Sequence, residues 1–174
     1  MGERNIVLLG FMGTGKTTVG TLLASGLGMA FVDMDKVIEA RAGKVISRIF
    51  AEDGEPHFRA LERALVLELA GQEGLVIACG GGVVLNPDNV SDLGRSGLVV
   101  CLSAAPEVIL KRVEKESHRP LLEGDERMQR ILKILDARRP LYGAIPFQID
   151  TTTLTPQQVV DLIRDRYAGD RPPA

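Results

Sequence analysis

With 174 residues the chain suits one compact domain, since two independent cores would be unusual at this size. Hydrophobic residues make up 45% and charged residues 25%, and the formal net charge of -2 excludes the basic footprint of a nucleic-acid binder or of a protein held on an anionic membrane. Any phosphate the protein binds must therefore be held by a local site.

The first apolar run, Asn5-Ile6-Val7-Leu8-Leu9, ends at Gly10 and is predicted to be a strand. No leader-like apolar segment precedes it and no run approaches membrane-spanning length, so a cytoplasmic protein is expected. Ala30-Phe31-Val32 ends at Asp33 and reads as a second strand. Residues from about 35 to 62 hold helical patterns without a strand and are expected to form an insertion. Phe58, Leu61, Leu65 and Leu69 share one helical stripe. Leu75 to Cys79 ends at Gly80-Gly81-Gly82, and Leu98 to Leu102 ends at Ser103. The polar stretch from about 112 to 125 reads as a surface loop and mobile lid. Ile145 to Asp150 makes a weaker fifth strand, Val160, Ile163 and Tyr167 mark a last helix, and the tail after Ala168 is expected to fray. Strands this short and this apolar are buried on both faces, and their alternation with helices predicts an α/β fold. The expected architecture is a three-layer sandwich, a five-stranded parallel sheet with helices on both faces, in a single domain over residues 1–174. Ligands of such sheets bind beyond the carboxyl ends of the strands, where four of the five runs end in Gly, Asp or Ser. Cys79 and Cys101 read as buried free thiols.

Gly10-Phe11-Met12-Gly13-Thr14-Gly15-Lys16-Thr17 has the spacing of a phosphate-binding P-loop, with a strand before it and a helix after it. Its glycines let backbone N–H groups encircle phosphates, and the helix near Lys16 adds its positive end. Lys16 is expected to neutralise the β- and γ-phosphates of a nucleotide and Thr17 to ligate Mg²⁺, with Gly13, Thr14, Gly15 and Thr18 completing the cradle. The loop alone does not distinguish a GTPase, an ATPase and a kinase. No Asn-Lys-x-Asp sequence is present to read guanine, and the third and fourth runs lack the terminal aspartate that ATPases use for magnesium. The carboxylates are instead Asp33 and Asp35. If the strand continues through them both side chains point one way, toward a cation through water at one and a substrate hydroxyl at the other. The alternative is a helix start at which one aspartate caps Lys36.

Along nearly its whole length the chain resembles the shikimate kinases. Beside the P-loop, the resemblance rests on Phe31-Val32-Asp33-Met34-Asp35, on Ile49-Phe50 through Gly54-Glu55 to Phe58-Arg59 with Glu62, on Gly80-Gly81-Gly82, on Arg119-Pro120-Leu121-Leu122, and on Arg138-Arg139-Pro140-Leu141-Tyr142. The resemblance implies a P-loop kinase that moves the γ-phosphoryl of ATP to the 3-hydroxyl of shikimate. It implies that Arg59 and Arg138 anchor the substrate carboxylate, a two-point match for a guanidinium. Glu62, three residues on, is placed to hold Arg59. Gly81 and Gly82 bring bare backbone to the substrate, and Asp35 accepts the attacking hydroxyl. Asp33 serves magnesium through water. Arg119 comes down from the lid onto the transferring phosphoryl, and Arg112 stacks on adenine. Arg59 read alone is a solvated helix charge, Arg112 read alone is an exposed charge paired with Glu107 or Glu116, and core packing accounts for Phe50 and Phe58 as well as a ring floor does. Met34 and Thr151-Thr152-Thr153-Leu154-Thr155 depart from the pattern of many relatives. His57 and His118 read as surface residues. A monomer is expected, with ATP and shikimate as its partners. The rival enzymes are a gluconate-type sugar-acid kinase and, with too few arginines here, a nucleoside monophosphate kinase. The rival outside enzymology is a nucleotide-dependent switch, which has no need of carboxylate anchors.

Overall fold

The computed structural model describes residues 3–114 and 127–170. Five short strands form one sheet: β1 (Asn5–Gly10), β2 (Ala30–Asp33), β3 (Leu75–Ala78), β4 (Gly97–Ser103) and β5 (Gln148–Asp150). All pairings are parallel, in the order β2-β3-β1-β4-β5. The central strand β1 is buried at every position, which is why its sequence is unbroken apolar rather than alternating.

Its residues nevertheless divide by parity between two cores. Ile6 and Leu8 face one layer, packed with Val19, Leu23 and Ala24 of α1 (Lys16–Leu27) and Val160, Ile163 and Tyr167 of α8 (Pro156–Gly169). Val7 and Leu9 face the other layer. There they meet α2 (Met34–Ala42), α3 (Ile46–Glu52), α4 (Glu55–Ala70), α5 (Pro87–Ser96), α6 (Pro106–Glu114) and α7 (Arg127–Gly143). The stripe of Phe58, Leu65 and Leu69 is the buried face of α4, as its period implies. The result is the expected three-layer sandwich.

β5 begins at Gln148, three residues later than the expected Ile145, and two further boundaries that differ from the sequence expectation bear on the site. β2 stops at Asp33, so Asp35 does not continue the strand. Asp33 is the N-cap of α2, its carboxylate accepting the Lys36 N–H at 3.3 Å, and Asp35 lies in the first helical turn. The helix start prevails because Asp33 satisfies an otherwise orphaned helix N–H. The second difference is at residues 112–114, which continue α6 because Ile109 and Val113, four apart, both enter the core. The remainder of the stretch read as a lid, with Arg119 and His118, lies outside the described residues.

β1 and β3 are neighbours, and the chain leaves β1 for α1 on one face of the sheet and leaves β3 for α5 on the other, which opens a crevice at their carboxyl ends. The P-loop follows β1 at that crevice, the glycine run follows β3, and Ser103 ends β4 beside them.

Candidate active site

The P-loop turns from β1 into α1 through Gly13 and Gly15, whose φ angles of 73° and 99° lie where a side chain is strained. Thr14 is buried and its hydroxyl donates to the Phe11 carbonyl at 2.7 Å. Lys16 Nζ donates to the Gly10 and Phe11 carbonyls at 2.8 Å each, folded over the loop it belongs to. Thr17 and Thr18 are exposed on the first turn of α1. The Thr17 hydroxyl donates to Asp33 Oδ2 at 3.1 Å. One aspartate thus caps α2 and touches the P-loop at once, using a different oxygen for each.

The glycine run after β3 organises the other half of the site. None of its three residues has a positive φ, so space rather than backbone conformation requires glycine here. A methyl group on Gly80 would stand 2.7 Å from Asp35 Oδ1 and 3.4 Å from Glu62 Oε2. One on Gly81 would stand 3.4 Å from Arg138 Nη1, and one on Gly82 would stand 2.6 Å from Arg59 Cζ. Gly80 therefore makes room for Asp35 and Glu62, Gly81 for Arg138 and Gly82 for Arg59, and Gly81 lies against the P-loop. A methyl on Gly81 would also come within 3.8 Å of Met12 N.

Each of these charges has its own support. Arg59 is gripped from two sides: Glu62 accepts both carboxylate contacts from Nη1 at 3.0 Å, and Glu55 Oε1 accepts from Nε and Nη2 at 3.2 Å. Its guanidinium also lies 5.2 Å from the centre of the Phe58 ring, itself tilted against Phe50 at 4.8 Å. The solvated-charge alternative for Arg59 is therefore set aside. Glu62 is 2% exposed, and burial pushes its carboxyl above the usual range, opposed by Arg59 and Arg138 and reinforced by Asp35. Arg138 Nη1 and the Tyr142 hydroxyl both donate to the Gly81 carbonyl, at 3.0 and 2.7 Å. Burial raises the Tyr142 pKa, keeping that hydroxyl a donor. The Gly80 carbonyl accepts from Val83 N–H at 3.1 Å, which in a trans peptide turns the Gly81 N–H away from that turn.

Arg112 is neither an exposed charge nor paired with Glu107. It reaches from α6 to the Gly13 carbonyl at 3.0 Å and to Thr151 Oγ1 and O at 3.1 and 3.0 Å, because Ile109 and Val113 seat that helix against the loop. Met34 is fully buried in the core, and His57 is exposed. Cys79 and Cys101 are buried free thiols; burial raises both pKa values, that of Cys101 to about 11.

Glu55, Tyr142 and Thr151 were given no role by the sequence. Glu55 and Arg59, like Arg138 and Tyr142, stand four apart on a helix, the spacing at which side chains meet. Thr151 directly follows the last strand, at the edge of the sheet that carries the ligand crevice.

A five-stranded parallel sheet of this order, a P-loop after its central strand and a cluster of charged side chains beside that loop define a P-loop kinase fold. The family model described as shikimate kinase matches residues 12–168. A shikimate kinase of Thermodesulfovibrio yellowstonii is 45% identical over 164 residues, 94% of this chain and 95% of that one. A shikimate kinase from Acinetobacter baumannii, solved in complex with shikimate, superposes with a TM-score of 0.91 at 35% identity, covering 97% of this chain and 95% of that one. A gluconokinase from Sinorhizobium meliloti, at 19% identity and a TM-score of 0.58 over 97% of this chain and 98% of that one, shares the fold alone. The chain belongs to the shikimate kinase family.

Proposed function

We infer that this chain phosphorylates the 3-hydroxyl of shikimate with ATP, giving shikimate 3-phosphate and ADP, the step that leads toward chorismate and the aromatic amino acids. The observation that carries the reading is the convergence of Asp35, Arg138 and Arg59 on three successive glycines beside the P-loop. Two arginines and one carboxylate complement an acceptor that carries a carboxylate at one end and hydroxyls at the other.

In this reading Arg59 and Arg138 grip the shikimate carboxylate, the N–H of Gly81 donates to the substrate, and the bare backbone at Gly82 leaves room for the Arg59 guanidinium beside the ring. Arg59 is held in place by Glu55 and Glu62 before substrate arrives, so little side-chain entropy remains to be lost on binding. Asp35 accepts a hydrogen bond from the attacking hydroxyl and takes its proton as the oxygen–phosphorus bond forms and the bond to ADP breaks. The amides of Gly13, Thr14 and Gly15, with Lys16 and Thr18, hold the phosphates. Arg112, from the last turn of α6, stacks on the adenine, and Arg119, outside the described residues, meets the transferring group.

Magnesium fits the residues present: a hydroxyl and a carboxylate oxygen stand side by side at Thr17 and Asp33, hard donors of the kind it prefers. Among the described residues no group of three or more His, Cys, Asp or Glu side chains could cage a metal unaided. Thr17 directly and Asp33 through water would hold the ion with the nucleotide, where it supplies neutralisation of phosphate charge. The single-domain organisation with an acceptor-binding insertion about residues 35–62, a monomeric state and a cytoplasmic location complete the proposal. Among the described residues no helix is long and apolar enough to cross a membrane.

The test is ADP release with MgATP and shikimate, gluconate or AMP in turn. Shikimate should be far the fastest acceptor. Equal turnover with gluconate would remove the specific reading and keep the kinase, and nucleotide binding without turnover would favour a switch.

A further inference from the structure

Thr151 has no part in the chemistry described above, yet it is one of the few polar side chains buried in the described residues, at 3% exposure. Its Oγ1 lies 3.0 Å from the Thr14 carbonyl and 2.9 Å from the Ser103 carbonyl, and accepts from Arg112 Nη1 at 3.1 Å. Its backbone N–H donates to Ser103 O at 2.8 Å, and its carbonyl accepts from Arg112 Nη2 at 3.0 Å. Arg112 Nη1 also donates to the Gly13 carbonyl at 3.0 Å. A hydroxyl has a single proton. Both carbonyls lie within its reach, but Ser103 O already accepts the Thr151 N–H, so placing the proton on Thr14 O gives each carbonyl a donor, while the Arg112 bond fills a lone pair of the same hydroxyl oxygen.

These contacts reach two consecutive peptides of the P-loop. In a trans peptide the C=O and the following N–H point in opposite directions. Fastening the Gly13 and Thr14 carbonyls toward β5 and α6 therefore turns the N–H groups of Thr14 and Gly15 to the other side, into the loop. Glycines leave a loop many conformations, so an outside tie is needed to hold this one. We propose that Thr151 is a positioning residue for the nucleotide: directly at Thr14 and by way of Arg112 at Gly13, it aims two loop amides at the β-phosphate. The proposal rests on the P-loop assignment above.

Thr151→Ser and Thr151→Ala differ from each other only by the hydroxyl. In calorimetric titrations the Ala variant should bind MgADP about tenfold more weakly than the Ser variant, the usual effect of one lost buried hydrogen bond. Shikimate affinity should agree within about twofold between the two, and KM for ATP but not for shikimate should follow the same pattern. Thr151→Val, a second variant without the hydroxyl but close in shape, should behave as Thr151→Ala does. Equal MgADP affinity in the Ser and Ala variants overturns the proposal. So does an equal loss for both ligands, the signature of a hydroxyl that merely stabilises the fold. Lys16→Ala separates this idea from the one beneath it. If that variant binds MgADP normally, the P-loop assignment falls. If it loses MgADP while the Ser and Ala variants match, only the role of Thr151 falls.

Discussion

Gly82→Ala isolates the most confined contact of the site. Gly82 has φ -94° and ψ 0°, angles open to alanine, so the substitution brings little backbone strain. The added methyl would instead stand 2.6 Å from Arg59 Cζ, well inside the 3.5–4.0 Å at which carbon atoms pack. The guanidinium must move by about 1 Å, and it cannot simply swing aside because Glu62 and Glu55 hold it on two sides. A two-point bond to a carboxylate does not survive that displacement. Losing one charge-assisted pair costs about 2–3 kcal/mol, or about 30- to 150-fold in shikimate affinity. MgADP affinity should change less than about twofold, since the P-loop does not use Arg59. Calorimetry on the ligand-free protein measures both quantities. The argument also requires that the methyl act through Arg59. In a double-mutant cycle, Gly82→Ala should therefore cost little more once Arg59→Ala is already present. Additive losses, or unchanged shikimate binding in Gly82→Ala, would refute the reasoning.

Asp35→Asn keeps the shape but removes the accepting charge, and steady-state kinetics should show kcat lowered about 10²-fold or more with a modest rise in KM for shikimate; a normal kcat would remove Asp35 as the base. Arg119→Ala should lower kcat and kcat/KM together by about 10²–10³-fold while shikimate titrated without nucleotide binds as before; weakened binary binding would place Arg119 on the acceptor instead. Glu62 has its pKa raised by burial, so the folded protein holds that proton more tightly than the unfolded chain. Its contribution is greatest below the unfolded carboxyl pKa and is lost as pH rises through the folded value. In urea unfolding followed from about pH 4 to 7, the stability of the native protein relative to Glu62→Gln should therefore decline as pH rises. A difference that stays constant or grows with pH would show that the pairing with Arg59 outweighs burial.

Much of this molecule was legible from local pattern. Strand positions followed from apolar runs between turn residues, the buried face of α4 from the period of Phe58, Leu65 and Leu69, and the P-loop from glycine spacing within a strand–loop–helix context. The grip of Glu62 on Arg59 followed from a three-residue separation on one helix. These features depend on near neighbours in the chain, whose geometry backbone periodicity dictates.

What depended on strand order could not be read that way. Placing β1 between β3 and β4 brings Arg138 onto Gly81 across 57 positions and Thr151 onto Thr14 across 137. The glycine run announced a close backbone approach, but only packing showed that the three glycines face different charges. Asp33 and Asp35 were legible as a functional pair, and their division was not. A strand and a helix start were both open to those residues, and a bond to the Lys36 N–H decided between them, leaving one carboxylate on Thr17 and the other over Gly80. Sequence thus determined which chemical groups the chain owns and the local element carrying each. Tertiary structure decided which groups meet, because burial of a two-faced sheet fixes the order of strands that no local pattern encodes.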